Sequence, residues 1–159
     1  MTVDGTDFRI FEQKPFSKKW YSFKINGPGL RYELGVCIQS GDIVWINGPY
    51  KPGSWNDLKI FQHKLAHKLR PGEKVEADMG YRDLRYVRYP HVFVSRSDRR
   101  SKRRVRGRHE TVNARLKQFS CLKKVWRHSV HKHKKAFIAV AVLTQLSFDN
   151  GEKLLSCNY

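Results

Sequence analysis

The chain has 159 residues, 40% hydrophobic and 13% aromatic, enough to bury roughly two thirds of its unfolded surface, so one domain over 1–159 is the expectation. Thirty-two Lys+Arg against fourteen Asp+Glu leave a formal charge of +18, which points to a polyanionic partner, nucleic acid ahead of an anionic membrane surface. The longest apolar run, AFIAVAVL at 136–143, is too short to span a bilayer. No hydrophobic signal region follows Met1, and three cysteines without a CxxC pair argue against a disulfide framework or a cysteine zinc site.

In chain order, TVDGTDFRI (2–10) alternates enough for a first strand, interrupted by a turn-prone DGT. A polar, aromatic insertion at 11–29 leads to LRYELGVCIQ (30–39), a Ser-Gly-Asp turn and IVWINGPY (43–50), which read as a β-hairpin. From Ser54 to Leu69, Leu58, Phe61, Leu65 and Leu69 recur every three or four residues, predicting one helix that stops before Pro71-Gly72. EKVEADMGY (73–81) predicts a short strand ending at Asp78, and PHVFVS (90–95) is a candidate fifth strand. A basic helix follows over about 99–122, with Val112, Leu116 and Phe119 on one face, and then a C-terminal helix over about 131–148, apolar enough to be well buried.

The order βββ-α-β-(β)-α-α implies an α/β layer arrangement, a hairpin-built half-sheet joined through a crossover helix to a strand parallel to the first. Ligands of such sheets collect at the carboxyl ends of parallel strands. Asp4 and Asp78 lie toward the ends of two strands that would be neighbours there, and a later helix crossing that edge could deliver Glu110.

Glu110 is the only acid between Asp98 and Asp149. Arg106, Glu110 and Lys117 fall on one helical stripe opposite Val112, Leu116 and Phe119, so the stripe reads either as an exposed Arg–Glu–Lys ladder or as a carboxylate aimed at a metal ion. The other acids carry two readings each. Asp4 fits an Asx-turn into Gly5 or a ligand on a strand face. Asp7 faces the other way and reads as a surface residue. Asp57 fits a helix start capped by Ser54 or a ligand, and Asp78 fits a strand-end turn or a ligand. Two hard divalent cations would need several such carboxylates from different elements.

VDGTDF (3–8), GSWNDLKIF (53–61), EADMGY (76–81) and RHETVNARLKQF (108–119) resemble, in order, the blocks of the DDE catalytic domain of Harbinger-like eukaryotic transposases, relatives of bacterial insertion-sequence enzymes. The resemblance covers roughly residues 2–147. It implies a ribonuclease H-like α/β fold with a mixed sheet of about five strands flanked by helices. It also implies two divalent ions, Mg²⁺ or Mn²⁺, held by Asp4, Asp57, Asp78 and Glu110, with Asp4, Asp78 and Glu110 catalytic. The implied activity is that of a DNA endonuclease or strand transferase. Of the family's Tyr-x2-Arg-x3-Glu-x6-Lys signature, Arg106, Glu110 and Lys117 fit, while Arg103 stands at the tyrosine position. Such transposases carry an N-terminal helix-turn-helix region, whereas this chain starts three residues before Asp4. A fragment, a degraded copy or a domesticated remnant is therefore expected, with target recognition supplied by a separate DNA-binding protein.

RRSKRRVRGR (99–108) reads as a nuclear localisation signal, a phosphate-gripping face, or both. DNA contacts are expected from Arg103, Arg104, Arg106 and Lys117, and a nuclear, intracellular setting follows. Trp20, Tyr21 and Phe23 among lysines suit stacking on unpaired bases or core packing equally. His63 and His67 sit i,i+4 without a third zinc ligand, and His128, His131 and His133 read as solvated basic surface. The rival to the enzyme is a non-catalytic nucleic-acid-binding protein that keeps fold and charge without cleavage.

Overall fold

The computed structural model describes residues 1–88 and 96–154, without the side chains of 96–99 and 102. Six strands form a mixed sheet: β1 (Thr2–Arg9), β2 (Tyr21–Ser22), β3 (Gly27–Val36), β4 (Ile43–Tyr50), β5 (Val75–Glu76) and β6 (Val87–Arg88). β3 pairs antiparallel with β1 on one side and with β4 and β2 on the other, while β5 is parallel to β1 and β6 parallel to β5. This is the ribonuclease H-like α/β arrangement that the resemblance implies, with six strands where about five were expected. Three are only two residues long: β2 inside the polar insertion, β5, and β6 just ahead of the candidate strand at 90–95, which lies outside the described residues.

Alternation along β1 decides what each face meets. Phe8 packs with Tyr32, Leu34, Val112, Leu116, Phe137 and Val140 under α2 (Arg96–Leu116) and α4 (Val130–Asp149), with the short α3 (Ser120–Lys123) between these two helices. Val3 packs on the opposite face with Phe61, Leu65, Val75, Tyr81 and Val87. That face is covered by α1 (Asp57–His63). The single helix expected over 54–69 is broken at Lys64 (φ −137°, ψ −58°) and continues as a 3₁₀ turn, Leu65–Lys68. Periodicity does not register the break, because Phe61 and Leu65 stay buried on either side of it. Nor does Ser54 cap α1: the Asn56 side chain accepts from Lys59 N–H at 2.8 Å.

Two residues read as surface are interior. Asp7 is 3% exposed, because Arg31 on β3 grips its Oδ1 and Oδ2 from Nε (2.7 Å) and Nη2 (2.8 Å), and the Ser22 hydroxyl donates to it too. His133 is fully buried, one helical turn before Phe137, stacked on Tyr32 and flanked by Phe8 and Trp126. The apolar C-terminal helix, in contrast, is buried on one stripe only: Ile138, Val142, Leu143 and Leu146 are 41–54% exposed.

Candidate active site

Three elements deliver carboxylates to one cleft. Asp4 comes from β1, Asp78 follows β5, and Glu110 projects from α2. All three line a cavity of about 190 Å³ together with Thr2, Val3, Glu76, Ala77, Val105, Arg106 and His109. The parallel pairing of β1 with β5, Thr2 opposite Glu76, brings the first two together.

Local chemistry fixes each acid. Asp4 Oδ1 accepts from Gly5 N–H at 2.7 Å, as an Asx-turn into Gly5 would have it, while Asn113 Nδ2 on α2 stands 3.5 Å from Oδ2. Asp78 is exposed and turns the chain into a 3₁₀ segment by accepting from Gly80 N–H at 2.8 Å. Asp57 is 9% exposed, as the first residue of α1, and Arg31 Nη1 faces its Oδ1 at 3.3 Å. It does not line the cleft. It lies behind Gly5, joined to Asp4 through Lys24, whose ammonium is 3.2 Å from Asp57 Oδ2, 3.8 Å from Asp4 Oδ1 and 2.8 Å from Gly5 O.

Burial pushes the Asp4 carboxyl up to about 6; the Lys24 ammonium opposes this, while the charges on Asp57 and Asp78 add to it. Glu110 is exposed. Among the described residues no three His, Cys, Asp or Glu side chains stand close enough to share one ion.

The basic residues divide. Arg103 and Arg106 are exposed on α2, Arg106 at the cleft itself, and Arg104 is half-buried. Lys117 lies just past the end of α2, with its ammonium 5.5 Å from the centre of the Phe8 ring. Burial lowers its pKa, against the pull of Asp7 and Asp4.

The family follows from more than this cleft, since the family model described as DDE superfamily endonuclease matches residues 3–145. The chain belongs to that superfamily. No curated protein and no solved structure matches it.

Three residues in or beside this DDE endonuclease cleft escape a reading of the four acids alone. Glu76 is two residues before Asp78, a spacing that puts both on one face of a strand, and this signal was available. His109 precedes Glu110 but points inward, 4% exposed. The Thr2 hydroxyl spends its proton on Val36 O (3.3 Å), so at 2.8 Å it accepts from His109 Nδ1–H. His109 Nε2 then keeps its lone pair, buried and without a hydrogen-bond partner. This clamp, together with Arg108 Nη1 donating to Ile38 O (2.8 Å) and Gln39 O (3.0 Å), ties α2 to β1 and to the β3–β4 turn just ahead of Glu110. Lys24 is the third, and only the fold brings it to Asp4 and Asp57.

Proposed function

We propose that this chain is a metal-dependent DNA endonuclease or strand transferase of the transposase type, of the Harbinger-like branch, acting in the nucleus. The observation that carries the reading is the convergence of Asp4, Asp78 and Glu110, from three elements far apart in sequence, on one cleft beside exposed arginines.

The donor set suits Mg²⁺ or Mn²⁺: it is all oxygen, it includes an Asp4 carboxyl that burial pushes up to about 6 with the charges on Asp57 and Asp78 adding to the shift, and Asp4, Asp57 and Gly5 O already face one cation, the Lys24 ammonium. Asp4, Asp78 and Glu110 would hold them with help from Asp57. When bound, such ions activate the attacking oxygen and steady the leaving oxygen of a phosphodiester. The chain's own residues do the rest. Arg103, Arg104 and Arg106 grip phosphates of the entering DNA, Lys117 adds positive potential beside Asp4, and the Thr2–His109 clamp sets the height of Glu110 over the strand ends. Water, and afterwards a freed 3′-hydroxyl, would be the attacking group, and a separate DNA-binding protein would supply target recognition.

The alternative is a non-catalytic nucleic-acid-binding remnant or domesticated domain. It is favoured by the wide spacing of the acids, no three of which, among the described residues, reach a common point. Supercoiled plasmid incubated with the chain and Mg²⁺ or Mn²⁺ separates the two: nicking abolished by Asp78→Asn supports the enzyme, and binding without nicking under any divalent metal supports the remnant.

A further inference from the structure

Two cations contact Asp57, and they are built differently. Arg31 is buried, held by two hydrogen bonds to Asp7, and cannot leave without stranding that carboxylate. Lys24 comes from the turn between β2 and β3. Its side chain is 41% exposed, its neighbour Phe23 is 89% exposed, and the turn is closed by a contact of the Tyr21 hydroxyl with Asn26, which adopts φ +50°. The ammonium therefore sits at the tip of a four-carbon stem on a surface turn, and reaches inward to one backbone carbonyl and two carboxylates.

We propose that Lys24 is an exchangeable internal counter-ion: it neutralises Asp4 and Asp57 while the cleft is free of metal, and a divalent ion loads onto these carboxylates only by displacing it. This rests on the reading of Asp4 as an ion ligand given above. Three oxygens surround the ammonium, and oxygen is also what Mg²⁺ and Mn²⁺ select. A single positive charge and a doubly charged ion cannot share these carboxylates at contact distance without strong repulsion. Charged groups beside Lys24 include Asp4 on β1, Asp57 at the start of α1 with Arg31 of β3 behind it, and Lys117 just past the end of α2. Of the three cations, Lys117 rests over the Phe8 ring and Arg31 on Asp7, so Lys24 alone has its charge matched by Asp4 and Asp57 and an open side toward solvent.

Displacement also gives the lysine a second use. Swung out of the carboxylates, it remains on the rim of the same edge, where an incoming phosphate is the next anion available.

The test is Mn²⁺ binding to the full chain, read from the loss of the free-ion electron paramagnetic resonance signal, for wild type, Lys24→Met and Lys24→Arg. Removing the competing charge should tighten Mn²⁺ binding by about tenfold in Lys24→Met, while Lys24→Arg stays within about threefold of wild type. Thermal melts in EDTA should show the opposite order, Lys24→Met being less stable than wild type because Asp4 and Asp57 lose their neutraliser. Added Mn²⁺ should then raise its melting temperature more than that of wild type. A Lys24→Met protein that binds Mn²⁺ equally or more weakly overturns the proposal, since a lysine that merely braces Asp57 would leave a poorer site when removed. If Lys24→Met does not fold, Lys24→Gln carries the same comparison. Absence of Mn²⁺ binding in all variants overturns the metal site and this proposal together, whereas equal binding overturns the role of Lys24 alone.

Discussion

Gly5 and Asp57 touch so closely that a Cβ built on residue 5 would lie 2.1 Å from Asp57 Oδ1. The carboxylate has little room to yield, being held by Arg31 and Lys24. Gly5→Ala should therefore cost about 1–3 kcal/mol in urea unfolding, the range for overfilling a packed site. Against an Asp57→Ala background the same change should cost under about 0.5 kcal/mol, because the clashing atoms are gone. Additive losses in the double variant would show that Gly5 matters for the strand and not for Asp57.

Glu110→Gln separates cutting from binding. The side chain is exposed and keeps its shape and helix preference as glutamine, so melting in EDTA should be unchanged. Mn²⁺-dependent nicking should drop to background, while affinity for duplex DNA in metal-free buffer holds or rises, because a negative charge has left a basic face. Normal nicking by the variant would make Glu110 an ordinary member of an exposed charged ladder.

Binding to duplex DNA should be tight, largely independent of sequence, and steeply weakened by salt. Arg103 and Arg106 are exposed and Arg104 is half-buried, so changing all three to Ala should make the slope of log K against log salt shallower by about 2–3 units, close to 0.9 for each lost phosphate contact. An unchanged slope in a fluorescence-anisotropy titration would mean that DNA lies elsewhere.

His133 makes stability sensitive to acid. Burial among Tyr32, Phe8, Phe137 and Trp126 pulls its pKa down to about 4 from 6.5, and the Tyr32 hydroxyl stands 2.8 Å from Nδ1. The unfolded chain takes up the proton first, so stability is lost as pH falls from 6.5 toward 4, by about 2 kcal/mol at pH 5. Urea unfolding of wild type and His133→Asn at pH 7.5 and pH 5.0 should show the larger loss in wild type by about that amount. Equal losses would place the imidazole in contact with water.

What the sequence conveys here depends on distance along the chain. Strand alternation and helical periodicity are local, so β1, the β3–β4 hairpin and the two long helices are legible, and the crossover from β1 to a parallel β5 follows from the order of elements. The break at Lys64 is local too, yet invisible, because the same apolar spacing serves an α-helix and a 3₁₀ turn joined end to end. Asp7 was misread because its partner is Arg31, 24 residues away on β3. His133 was misread for another reason: its neighbours His131, Lys132, Lys134 and Lys135 are exposed, and only its spacing to Phe137 and Val140 gives its face away. At the cleft, acids could be singled out by type and position. Lys24 could not, since nothing within its own segment refers to Asp4 or Asp57.

The length of α2 has a geometric consequence. Its inner half is bolted to the sheet by Val112, Leu116, Arg108 and His109, while Arg103 and Arg106 stand free at seven and four residues before Glu110, about 10 Å and 6 Å back along the axis. A stiff rod anchored at one end works as a ruler. The arginines cannot slide relative to the glutamate, so in the proposed DNA complex whichever phosphates they held would fix which bond came to rest over the strand ends. One residue inserted between Arg106 and Glu110 would leave every group present and every charge intact, yet rotate the acid by about 100° relative to the arginines.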